Sequence, residues 1–301
     1  MTGIAQQQSE LNKKIDEFLD FLEFDSHFSP LTIRNYRHYL KRFSEFAGNK
    51  EISKPLIDNY KTYLKKIGLS SKTVGFHLIA IRSFIKWERK KGEVVMNVEE
   101  IEVPKTKGSK IEFLTGSDVE KLSNAPDLGT IQGKRDRAIM ELFYSTGLRV
   151  SELASLNREN VDFMKKELII GNGDEKRRAI FLSHRALGWI ENYLKSRKDK
   201  FEPLFIHHKG QSDGKNSLRL SIRSIQRMIK KYRKKVGLNK TVTPKTLRAS
   251  FAIDILMAGA EVGSVQEMLG HKNISTTQIY THVTNRQLRE VHAAFHGRGG
   301  S

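Results

Sequence analysis

The chain has no cysteine among its 301 residues. That excludes disulfides and thiolate-bound metals outright. Proline is scarce, at six residues, and no apolar run approaches the ~20 residues that a bilayer-spanning helix needs. The opening stretch, Met1 to Glu10, is polar and lacks the apolar core of a secretory signal. A protein with no membrane association and a cytoplasmic location is therefore expected. The adjacent pair His207-His208 cannot share one helix face, so no metal site is expected there, and no cofactor is expected elsewhere.

What the sequence has in excess is positive charge. Fifty-three Lys and Arg stand against 34 Asp and Glu, a net charge of +19. The surplus is 20 basic against 14 acidic residues through Lys110, and 33 against 20 beyond it, so it is not a detachable tail. A polyanion is the natural partner, because each phosphate neutralised releases counterions and adds affinity. At 38% hydrophobic and 29% charged residues the composition is that of a folded protein, and the length suits two domains.

Periodicity predicts four helices in the first ~100 residues. They cover Leu11 to Phe24, a segment opened by Ser29-Pro30 and stopped near Gly48, Ile52 to Ile67, and Ser70 to Lys91. Together they make a compact bundle. Residues 104–110, with Pro, Gly and lysines but no periodicity, read as a basic linker between domains at 1–103 and 111–301. Two basic domains so joined are expected to clamp a duplex.

The second part reads as mixed α/β. Helices are expected at Thr115 to Ser123, capped by Thr115 or Ser117, at Gly133 to Tyr144, from Val150 to Leu156, at Ser183 to Lys198 and at Leu218 to Val236. Strands at Glu167 to Ile170 and Arg178 to Leu182 flank a glycine-containing hairpin, and Leu204 to Ile206 is a further candidate strand. Helices fill most of Pro244 to Phe295. The lysine- and arginine-rich run Lys230 to Lys235 lies on a helix face and reads as solvated or DNA-facing. The expected fold class is mainly α with a small β-sheet.

Three segments carry chemistry: Ser145-Thr-Gly-Leu-Arg-Val-Ser-Glu-Leu153, Thr243-Pro-Lys-Thr-Leu-Arg-Ala-Ser-Phe-Ala252, and Leu269-Gly-His-Lys-Asn-Ile-Ser-Thr-Thr-Gln-Ile-Tyr-Thr-His-Val283. Breaking a phosphodiester without a metal needs fixed cations for the non-bridging oxygens, a nucleophile, and a proton donor for the leaving oxygen. Arginine's planar fork suits the first task. In order and spacing the three segments resemble the arginine, arginine and nucleophile boxes of the tyrosine recombinases, also called phage integrases. The wording is most similar to the Xer branch, and the helical N-terminal part resembles that family's core-binding domain.

The resemblance implies a site-specific DNA recombinase. Tyr280 would attack a backbone phosphate to give a 3′-phosphotyrosine, while Arg149, Arg248, Lys245 and His271 would bind the scissile phosphate, with Glu152 orienting Arg149. It implies double-stranded DNA as substrate, a homotetramer or paired recombinases on two duplexes, an Xer-like role in chromosome partition and cell division, and a DNA translocase as a further partner. It also implies that the segment Arg286 to Phe295, an amphipathic helix by its pattern, packs into a neighbouring protomer. Three departures stand out. Lys245 replaces the usual histidine of the second box, and Ala249 replaces a second one. Asn172 occupies the hairpin place where the family carries its general-acid lysine, which leaves Lys176 as the candidate proton donor. A mobile-element integrase, a catalytically impaired DNA-binding protein on the same scaffold, and a type IB topoisomerase are the competing readings.

Overall fold

A computed structural model describes residues 2–93, 96–104, 111–171, 178–208 and 218–281. The chain divides into two compact units, Met1–Ser109 and Lys110–Ser301. Each has its own hydrophobic core.

The first unit is built from four helices: α1 (Thr2–Asp20), α2 (Pro30–Ala47), α3 (Lys54–Lys66) and α4 (Ser71–Lys90). Hydroxyl caps set two of the starts, with Ser29 accepting from the Thr32 N–H and Ser70 from the Thr73 N–H. Glycines with positive φ, Gly48, Gly68 and Gly92, follow the last three helices. Leu19, Leu40, Phe43, Tyr60, Leu64, Leu78 and Ile81 are sealed in the core. The first helix begins much earlier than periodicity indicates, since residues 2–10 are polar but helical, and it runs into a π-turn at Phe21–Asp25.

The second unit is mainly helical around one small sheet. Its elements are α5 (Gly116–Asn124), α6 (Ile131–Thr146), α7 (Val150–Ser155), β1 (Val161–Asp162), β2 (Glu167–Ile170), β3 (Arg178–Phe181), α8 (His184–Lys195), α9 (Ile222–Lys235), α10 (Pro244–Met257) and α11 (Val262–Leu269). The strands are antiparallel in the order β1-β2-β3, with Leu168 opposite Ile180 and Ile170 opposite Arg178. Leu168 and Ile180 face the core while Ile169 and Phe181 face outward, the period-two alternation of a one-sided sheet. Helix α6 is the spine, packed by α8 and α10. It buries charge as well as carbon. Arg137 pairs with Glu141 at 2.9 Å, and Arg135 with Asp136 at 2.6 Å. The second Asp136 oxygen accepts from Tyr232 at 2.9 Å.

The structure departs from the sequence reading at two places here. Leu204 to Ile206 forms no strand, and the helix expected from Leu218 starts only at Ile222. Pro203 and Ile206 make only isolated bridges, to Asn157 and Arg219, and not a ladder, while the late helix start has a local cause. The His207 N–H donates to Leu218 and the Leu220 N–H to Phe205, so residues 218–220 are drawn into extended pairing. Ser221 then caps the helix by accepting from the Ser224 N–H. Strand β1 was too short to leave a periodic signal. Among the described residues no helix is long and apolar enough to cross a membrane.

Candidate active site

Helices α6 and α11 are capped directly by left-handed glycines, Gly147 (φ 61°) and Gly270 (φ 63°). A helix C-terminus leaves carbonyls without intrahelical partners and carries partial negative charge. Here arginines meet those carbonyls. Arg248, on α10, donates from Nη1 to Gly147 O at 2.6 Å and from Nη2 to Leu269 O at 2.7 Å. Arg149, the N-cap of α7, donates from Nη2 to Gly270 O at 2.7 Å. The arginine of each box is therefore held by the glycine turn of another, and the two guanidinium groups converge although 99 residues of chain separate them.

Glu152 organises the cationic side. Its Oε2 accepts from the Arg149 backbone N–H at 2.7 Å. Its Oε1 accepts from Arg149 Nη1 at 3.0 Å and from Arg178 Nη2 at 2.9 Å. Burial alone would raise the Glu152 pKa, but the Arg149 N–H and the two guanidinium charges outweigh it and hold the carboxyl below its ordinary value. Arg248, 7% exposed, is pushed down to about 10, by burial first and by the Arg149 charge second. Three arginines around one carboxylate leave a pocket with net positive charge. Among the described residues, Arg248 uses three of its five donors and Arg149 two, so both keep donors there for an anion.

His271 follows Gly270. Its backbone is pinned by Gln266, whose carbonyl accepts the His271 N–H at 3.1 Å and whose side chain donates to the His271 carbonyl at 2.9 Å. Its ring lies between Arg248 Nη2, 2.8 Å from Nε2, and Thr277 Oγ1, 2.8 Å from Nδ1. Burial and the charges of Arg248, Arg149 and Arg178 lower its pKa to about 4, so the imidazole is neutral at pH 7.

Tyr280 lies on the helical stretch 275–281 and is 5% exposed. It packs with Ala249, Phe251, Val265 and Leu269. Burial raises its pKa while the Arg248 charge opposes that rise, which places the phenol within electrostatic reach of the cluster. Ala249 lies in the same apolar bed, 2% exposed, where an imidazole would meet carbon rather than polar partners. Lys245 is exposed in the first turn of α10 and makes no hydrogen bond or ion pair among the described residues. Asn172, Lys176 and the segment Arg286 to Phe295 lie outside the described residues.

Residues 112–287 match the phage integrase family, and residues 15–92 match its N-terminal SAM-like domain. The chain belongs to the phage integrase family. It is a tyrosine-type site-specific DNA recombinase, mainly helical with a SAM-like N-terminal domain and a catalytic domain bearing the small sheet. It is 34% identical over 301 residues to the tyrosine recombinase XerD of Staphylococcus epidermidis, covering 96% of this chain and 100% of that one. It is 39% identical over 278 residues to the tyrosine recombinase XerA of Pyrococcus horikoshii, covering 92% and 91%. Among solved structures, the XerA recombinase crystal structure aligns at 28% identity with a TM-score of 0.53, over 95% of this chain and 99% of that one. The XerH recombinase bound to palindromic difH aligns at 20% identity with a TM-score of 0.72, over 96% and 84%, a likeness of fold.

Sequence reasoning did not single out Arg178, Gln266, Thr277 or the carbonyls of Gly147 and Gly270 in this recombinase. The glycines did carry a signal, since each follows a helical run and precedes a cation or histidine. Arg178 carried none, being one of several basic residues at a hairpin. The histidine pair is structural, with His208 Nε2 3.0 Å from the Tyr193 hydroxyl and His207 Nε2 3.4 Å from Ser224 Oγ. A groove of about 1200 Å³ adjoins the cluster through Arg178, lined also by Tyr144, Phe181, Phe251, Asp254 and Met268. Tyr144 spans it with a 2.5 Å hydrogen bond to Asp254.

Proposed function

We propose that this recombinase cuts DNA by attack of the Tyr280 phenolate oxygen on a backbone phosphorus. The Tyr280 O–P bond forms, the P–O5′ bond breaks, and a 3′-phosphotyrosine remains. The tyrosine proton leaves to solvent, and Lys176 supplies a proton to the departing 5′ oxygen. Arg149, Arg248 and Lys245 hold the non-bridging oxygens, and His271 completes the pocket. Rejoining reverses the steps with the 5′-hydroxyl of the exchanged strand, so the covalent link conserves the bond and no nucleotide cofactor is needed.

The convergence of Arg149 and Arg248 on the two glycine turns carries this reading. A pocket that gathers three arginines and one carboxylate, and leaves guanidinium donors unused, suits the charge that develops on a pentacoordinate phosphorus. Before DNA binds, Tyr280 is protonated and covered by carbon. Cleavage therefore requires its helix to shift so that the hydroxyl meets the phosphate.

The relatives named XerD and XerA support an Xer-like role: resolution of chromosome or plasmid multimers, linked to chromosome partition and cell division in the cytoplasm. The working unit is a homotetramer, or paired recombinases, on two double-stranded sites, with a DNA translocase as activator. Outward-facing Phe181 and Met268 at the groove support a protein neighbour on that side. The test is a suicide duplex nicked beside the crossover. A covalent protein–DNA adduct is expected with the native chain and not with Tyr280→Phe. Absence of adduct on a duplex that the chain binds specifically would overturn the reading.

A further inference from the structure

Thr277 has no exposed surface, yet its side chain ends in a hydroxyl. It stands three residues before Tyr280 on the same helical stretch, one turn away. Its Oγ1 lies 2.8 Å from Nδ1 of His271. The opposite ring nitrogen, Nε2, lies 2.8 Å from Arg248 Nη2.

These two contacts fix the proton. A guanidinium has only donors, so Nε2 must be the acceptor. A neutral imidazole with Nε2 unprotonated carries its hydrogen on Nδ1, which then donates to Thr277 Oγ1. The other tautomer would set an N–H against an N–H at Arg248, and the imidazolium would do the same. His271 as it stands is therefore a prop for the Arg248 guanidinium. Arg248 thus selects this tautomer, and Thr277 accepts the Nδ1–H and sets the plane of the ring. Histidine ligands at metal centres are tuned in the same manner by the acceptor on the far nitrogen, and losing that acceptor typically costs 10- to 100-fold in function.

We propose that Thr277 is a positioning residue for the cleavage step, accepting the Nδ1–H of His271 to hold its ring in place and thereby tying the segment that bears Tyr280 to the arginine that binds phosphate. The consequence is a mechanical link of three residues, Thr277–His271–Arg248. A phosphate that draws on Arg248 pulls on a ring that is bonded to the nucleophile's own helix. Conversely, a shift of that helix changes the support of Arg248. The link runs within one catalytic domain and uses no group outside the described residues.

This inference rests on the assignment of Tyr280, Arg248 and His271 to the site, and its test separates the two. Thr277→Val keeps the shape and the β-branch but removes the acceptor, whereas Thr277→Ser keeps the acceptor. On the suicide duplex, Thr277→Val is expected to form adduct about 10- to 100-fold more slowly than the native chain. Thr277→Ser should stay within about threefold, and DNA affinity and melting temperature should change little in either. Proton–nitrogen-15 spectra of histidine-labelled full-length protein, with the His271 signal assigned through His271→Asn, should show a hydrogen-bonded Nδ1–H in the native chain and Thr277→Ser, and the same tautomer with its Nδ1–H proton shifted upfield in Thr277→Val. Native adduct rates in Thr277→Val, equal defects in the two variants, or an unmoved Nδ1–H signal in Thr277→Val would each overturn the inference. If the native chain forms no adduct, or Tyr280→Phe still forms one, the site reading falls, and the spectra alone decide whether Thr277 holds the Nδ1–H of His271.

Discussion

Arg149 and Gly270 lie 121 residues apart in sequence and are joined by a 2.7 Å hydrogen bond from guanidinium to carbonyl. The bond exists because Gly270 adopts a left-handed conformation, which turns its carbonyl out of α11. A Cβ at Gly270 would stand 2.6 Å from Arg178 Nη1 and 2.8 Å from its Cζ. Gly270→Ala should therefore push Arg178 off Glu152 and misplace Arg149 as well. We expect adduct formation to fall by at least about tenfold, with roughly 1–2 kcal/mol of stability lost to the left-handed backbone. At Gly147 a Cβ would overlap the Phe251 ring and stand 2.8 Å from a Leu269 methyl. Gly147→Ala strikes the core and should lower the melting temperature more than Gly270→Ala. A scan in which Gly270→Ala is the less stable of the two would contradict this ordering.

Replacing either arginine by lysine tests geometry at constant charge. Arg248 bridges two carbonyls and an imidazole, which a single ammonium cannot reproduce. Arg149 bridges Glu152 and Gly270. Each lysine variant should slow covalent adduct formation by about 10²- to 10³-fold, the usual cost of removing one transition-state donor. Duplex affinity should stay near the native value, since the charge is kept. Adduct rates within threefold of native in Arg248→Lys would show that the fork is not needed.

How far the sequence revealed this architecture depends on whether a feature is local. The helix opening at Ser29-Pro30, the cap Thr115, the stop at Gly48, and the strands at Glu167–Ile170 and Arg178–Phe181 are written in adjacent residues and were legible there. The three boxes were legible as strings, which named Arg149, Arg248, His271 and Tyr280. Their cross-bracing was not, because a bond such as Arg248 to Gly147 depends on α6, α10 and α11 meeting in space. Arg178 joins the site only through strand pairing that brings β3 beside α7, which no short-range pattern records. The tautomer of His271 needed two partners, one from another helix.

Helix α9 offers a test of DNA contact independent of cleavage. It has no acidic residue and displays Arg223, Arg227, Lys230 and Lys234 on its exposed side. If these residues meet phosphates, each neutral replacement should reduce the slope of log affinity against log salt by about 0.9. Lys230→Ala combined with Lys234→Ala should then flatten the slope by nearly two and weaken unrelated duplexes as much as the cognate one. Filter binding or anisotropy across a salt series reads this directly. An unchanged slope would place the duplex elsewhere.

Acidification should weaken the N-terminal bundle through one buried histidine. His77 has no exposed surface, and its Nδ1 lies 2.9 Å from the Tyr60 hydroxyl. Burial, with the Arg42 charge second, lowers its pKa to about 4 from an unfolded value near 6.5. The folded state thus binds the proton less readily than the unfolded chain does. The stabilisation is complete above pH 6.5 and is lost as pH falls from there towards 4, by up to about 3 kcal/mol at 1.36 kcal/mol per unit. His77→Gln keeps a neutral hydrogen-bonding group beside Tyr60 and does not titrate. Its melting temperature should be lower than native at pH 7.5, where the native packing is intact, yet should decline less between pH 6.5 and 4.5. Parallel declines in the two proteins would assign the acid sensitivity to other groups.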